Sequence, residues 1–129
     1  MATDKQSRRE LVNNYKQTFR RMGIYQIRNQ ENGKILVCSS MDLDSAQNRL
    51  KFMKSTNLNS INEIRDDWKL FGGSSFVFEE LDEIKPKEEV VTDRSELRQY
   101  QKEVDELLEL WIEKLQPFGD RGYNKQKNQ

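Results

Sequence analysis

Few residue types in this chain can do chemistry. It contains no His and a single Cys, Cys38. That excludes Ser-His and Cys-His nucleophile pairs and the common His-containing zinc sites. One thiolate cannot hold zinc either. Chemistry must rest on Asp, Glu, Tyr, Lys or Arg, or on a hard metal ion held by oxygen ligands. A lone cysteine forms no internal disulfide, which points to a reducing, cytoplasmic setting. The longest apolar run is Ile35 to Cys38, so no transmembrane helix and no membrane partner are expected. The first residues carry no signal-peptide apolar region.

The scaffold for those residues must be small and polar. At 129 residues the chain fits one domain, and 34% of it is charged where about a quarter is usual. A net charge of zero hides a strong segregation. Residues 1–21 hold Lys5, Arg8, Arg9, Lys16, Arg20 and Arg21 against Asp4 and Glu10. Residues 79–116 are strongly acidic. A basic front and an acidic back can orient a protein toward a polyanion.

Periodicity supplies the elements. Residues 4–21 read as a helix, with Leu11 and Tyr15 at helical spacing. Residues 23–29 and 34–39 read as strands joined at Asn32-Gly33, a type I′ hairpin signal. Helices are expected over 43–54, with Leu43, Ala46, Leu50 and Met53 on one face, and over 60–71, with Asn59 or Ser60 as its cap. A third strand is expected over 75–81. A long helix follows over 94–115, with Val104, Leu108, Trp111 and Leu115 in its apolar stripe and Pro117 as its stop. The fold class is α+β: a small three-stranded, largely antiparallel sheet flanked by helices. The expected organisation is a basic N-terminal helix over 1–21, a domain over 22–124 and a disordered tail over 125–129. A two-residue hairpin loop would place Asn29 opposite Leu36 and Ile27 opposite Cys38. Tyr25, Ile27, Asn29, Leu36, Cys38 and Ser40 would then share one face.

Gly23-Ile24-Tyr25, followed by Asn32-Gly33-Lys34-Ile35-Leu36-Val37-Cys38-Ser39-Ser40, resembles the opening hairpin of the GIY-YIG nuclease superfamily. The resemblance continues through Arg49, the stretch from Trp68 to Phe78, Trp111-Ile112 and Gly122-Tyr123-Asn124. It implies a fold whose members hydrolyse DNA phosphodiesters, as phage homing endonucleases do. In them a Tyr-centred site and one divalent metal activate the nucleophile, an Arg meets phosphate charge, and a Glu on a late helix holds the metal. Tyr25, Arg49 and Asn124 match family positions. Leu36 replaces the second motif tyrosine and Cys38 the motif glycine. Met53 stands where a His or Tyr is often found, and Leu108 stands where the metal-binding Glu is expected.

With those replacements, the resemblance implies a domain that has lost nuclease activity. Tyr25, Arg49 and Asn124 would be vestigial, and no cofactor would be needed. Such a domain would act by binding DNA or a protein partner, as a regulator or inhibitor. Arg8, Arg9, Arg20, Arg21 and Arg49 would contact nucleic acid. One alternative is an active endonuclease using Mg²⁺ or Mn²⁺ at a rearranged site drawing on Glu109 or Asp105. A second is a protein-interaction domain using the acidic 79–116 region.

Overall fold

The central strand of the sheet carries apolar side chains on both faces, and the rest of the architecture follows from covering them. The computed structural model describes residues 20–85 and 94–126. In order these are β1 (Met22–Asn29), β2 (Ile35–Ser40), α1 (Leu43–Thr56), a 3-10 turn (Asn62–Ile64) and α2 (Arg65–Phe71). A second 3-10 turn (Gly73–Ser75), β3 (Phe76–Ile84) and α3 (Arg94–Leu115) complete the order. The strands lie in the order β2-β1-β3, both pairs antiparallel. The expected α+β class is therefore observed.

Alternation along the strands divides the core in two. Tyr25, Ile27, Leu36 and Phe76 pack with Leu43, Leu50 and Met53 of α1 and with Ile64 and Trp68. Met22, Ile24 and Val37 pack instead under α3, against Val104, Leu108, Trp111 and Leu115. The helical stripe read from the sequence thus becomes the cover of one sheet face. Trp111 Nε1 also donates to Asp82 Oδ2 at 3.1 Å, tying α3 to β3.

The hairpin differs from expectation. Observed partners are Ile27 with Leu36 and Tyr25 with Cys38, a slide of two residues. A type I′ turn needs positive φ at both central residues. Here only Gly33 has it, at 78°. Side chains select a longer loop instead. Asn29 Oδ1 accepts from the Glu31 amide and Asn32 Oδ1 from the Lys34 amide, while the Asn29 amide donates to Lys34 O at 2.9 Å. A slide of two preserves the side-chain period, so Tyr25, Ile27, Leu36 and Cys38 still share a face.

Other boundaries shift for local reasons. Arg20 and Arg21 are not helical, and the rest of the expected 4–21 helix lies outside the described residues. The Arg21 carbonyl accepts from the Leu43 amide at 2.7 Å, satisfying a donor at the start of α1. Asp42 caps that helix through the Ser45 amide. Neither Asn59 nor Ser60 caps the following turn. Asn59 instead grips both backbone groups of Ile61, accepting at 2.7 Å and donating at 2.9 Å.

Residues 122–124 run along the free edge of β2. Ile35 bridges Gly122 in parallel, and Tyr123 N donates to Ile35 O at 2.8 Å. Of the tail, Lys125 and Gln126 are described and 127–129 lie outside the described residues.

Candidate functional site

Tyr25 lies near the middle of the sheet, 9% exposed, with its ring stacked on Phe78 at 4.7 Å. Across the β1–β2 pair it lies opposite Cys38. Burial pushes the phenol well above the ordinary tyrosine range, and Cys38 adds to this while Arg49 opposes it. Burial likewise pushes the Cys38 thiol up to about 11, with the Tyr25 hydroxyl opposite it pulling the other way; Glu63 raises it further and Arg49 lowers it. A thiol so raised is almost entirely protonated at neutral pH and is no nucleophile. Cys38 should therefore react with a disulfide reagent at pH 8 roughly a hundred-fold more slowly than a free cysteine. Denaturant should abolish the difference, whereas rapid labelling of folded protein would contradict the geometry.

The positions around Tyr25 are core. Leu36 is 3% exposed and Met53 2%, both in the cluster that contains Tyr25. Leu108 is half-buried in the other cluster, beside Val104 and Trp111. Asp105 accepts from Gln101 Nε2 at 2.9 Å, and Glu109 is exposed on the same helix.

Arg49 is the exposed member of the group. Its guanidinium donates to Ser60 Oγ from Nε at 3.2 Å and from Nη2 at 3.0 Å, and reaches the Ser60 carbonyl at 3.3 Å. The Ser60 hydroxyl donates in turn to Met53 Sδ at 3.6 Å. Arg20 pairs with Asp42 at 3.6 Å. Arg21 is engaged by Asp44 at 2.7 Å, by Glu83 at 3.0 Å and by Glu80. These two charges are used within the chain, and Arg8 and Arg9 lie outside the described residues.

Asn124 lies at the β2 edge rather than beside Tyr25's ring. Its side-chain amide accepts from Val37 N at 2.8 Å and donates to Val37 O at 2.9 Å, standing in for the backbone of a fourth strand. Sequence reasoning missed the residues that brace this arrangement. Asn29 is fully buried and donates to the Tyr123 hydroxyl at 3.1 Å. Tyr123 donates to Asp67 Oδ2 at 2.6 Å, and Asn32 donates to the same oxygen at 2.9 Å. The one available signal was the Asn at each end of the hairpin turn.

Two solved structures share this arrangement of strands and helices. The catalytic domain of homing endonuclease I-TevI is 26% identical, with a TM-score of 0.58 over 82% of this chain and 99% of that one. A glutamate-to-alanine mutant of the catalytic domain of intron endonuclease I-TevI, also 26% identical, gives 0.56 over 81% and 92%. The fold is GIY-YIG-like. No family model matches the sequence, and no curated protein matches it.

Within the GIY-YIG-like frame the motif glycines have steric reasons. A Cβ on Gly23 would lie 2.1 Å from Asp82 O, where β3 bulges opposite the Ile24–Tyr25 step. A Cβ on Gly122 would meet Pro117 O at 2.4 Å and Ile35 O at 2.5 Å. The resemblance places a metal-binding Glu where this chain has Leu108. Among the described residues no three acidic or Cys side chains gather closely enough to hold an ion. The matching position, Leu108, presents a hydrocarbon to an apolar cluster.

Proposed function

We propose that this chain is a GIY-YIG-like domain without nuclease chemistry, acting by binding DNA. The observation that carries this reading is the burial of Tyr25, Leu36 and Met53 in one apolar core. A phosphodiester-cleaving site needs polar groups and water around the reacting phosphate, and this face holds a stacked ring, a leucine and a thioether instead. Asn124 serves structure, completing a sheet edge. Arg49 keeps an exposed guanidinium on α1, held in place by Ser60. In this reading Arg49 meets phosphate, joined by Arg8 and Arg9 of the basic 1–21 segment, which precedes the binding domain at 22–124.

The test is a salt titration of duplex binding. Wild type should bind with an affinity that falls steeply with salt, and Arg49→Ala should lower it several-fold with a shallower salt slope. No binding to any nucleic acid at low salt would overturn the reading. Restoring the missing carboxylate with Leu108→Glu should cost about 2–3 kcal/mol of stability, because it sets a charge against Val104 and Trp111. It should also confer no cleavage, since Leu36 and Met53 remain in place. Metal-dependent cutting by that single variant would contradict the account.

A further inference from the structure

Beside Arg49 the loop after α1 closes over a small concavity of about 120 Å³, lined by Asn59, Ser60, Ile61, Asn62 and Arg65. We infer that this pocket is a phosphate subsite, taking a nucleic-acid phosphodiester adjacent to the one met by Arg49. The inference rests on the DNA-binding reading above and adds a contact residue, Arg65, on a different element.

Three features support it. Ser60 lines the pocket and accepts from Arg49 Nε and Nη2. Arg49 thus reaches a lining residue from α1, and Arg65 is itself part of the lining. No carboxylate lines the pocket. Glu63 and Asp66 lie on the same turn, and Asp66, 3.7 Å from Arg65 Nε, has a side chain 92% exposed. The lining is also shaped in advance. The Asn59 side chain closes on the Ile61 backbone at 2.7 and 2.9 Å, so the loop needs little ordering on binding. A space of this size accommodates one tetrahedral oxyanion. The Arg65 guanidinium and the Asn62 carboxamide are donors of the kind such an anion requires.

The test uses the full chain and a duplex of about 30 base pairs, followed by fluorescence anisotropy from low to physiological salt. Arg65→Gln should weaken binding about five-fold and reduce the magnitude of the log–log salt slope by about 0.9. Arg98→Gln, which removes an equal charge from an exposed position on α3, should change neither. If the duplex binds wild type and Arg65→Gln equally, the subsite is overturned and DNA binding stands. If wild type binds no duplex, the DNA reading fails and inorganic phosphate decides the pocket. Amide shifts at Ser60, Asn62 and Arg65, lost in Arg65→Gln, would then support a site for the free anion. Their absence would overturn it.

Discussion

Gly23→Ala should be among the most destructive single-methyl changes in the molecule. The added carbon would overlap Asp82 O, and its next neighbours are also backbone, Glu83 Cα at 2.8 Å and Asp82 C at 2.9 Å. No flexible side chain can yield, so β1 and β3 must separate at the bulge. β1 is the central strand, and separation there exposes both halves of the core. A loss of about 3–4 kcal/mol is expected, lowering the melting temperature by roughly 10 °C or more. A thermal melt followed by circular dichroism measures it, and a change under about 1 kcal/mol would contradict the packing. The first motif glycine is thus explained by the close approach of β3, independent of any catalytic role.

Asn29→Ala should cost about 3 kcal/mol by a different route. It removes a fully buried carboxamide that accepts from the Glu31 amide and donates to Tyr123. The hairpin turn loses its brace, and the Tyr123 hydroxyl loses a donor. Chemical denaturation should report the loss as a lower midpoint with an unchanged slope. The same network predicts a pH dependence. Burial tends to raise the Asp67 carboxyl, but hydrogen bonds from Tyr123 and Asn32 and the nearby Lys34 hold it below the ordinary Asp value. A depressed folded-state value stabilises above the unfolded value, near 4, and the benefit fades as pH falls through the folded one. Asp67→Asn should therefore be less stable than wild type at pH 7, and the gap should close in acid. A gap that persists at pH 2 would contradict the assignment.

Much of this architecture was legible because it follows repeat periods. The stripe from Val104 to Leu115 marked α3, and Leu43, Leu50 and Met53 marked α1, since each must bury one face against the sheet. The hairpin register was not legible. Asn32-Gly33 favours a two-residue loop locally, but the side-chain bonds of Asn29 and Asn32 stabilise a longer one. Tertiary partners decided the rest. Arg21 read as a phosphate contact, yet Asp44, Glu80 and Glu83, far away in sequence, converge on it. Gly122-Tyr123-Asn124 was readable only as a motif. Its work, pairing with Ile35 and Val37 at the β2 edge, depends on a crossing that no local pattern reveals. The leucine at 36 and methionine at 53 were legible as replacements, and the structure shows both buried beside Tyr25.

The most direct measurement is a combined mobility-shift and cleavage assay on single-stranded, duplex and branched DNA. Wild type and Arg49→Ala would be compared in Mg²⁺, Mn²⁺ and EDTA. The account predicts that wild type retards DNA in all three conditions and cuts none of it, with retardation weakened in Arg49→Ala. Metal-dependent cleavage by wild type that disappears in Arg49→Ala would contradict it.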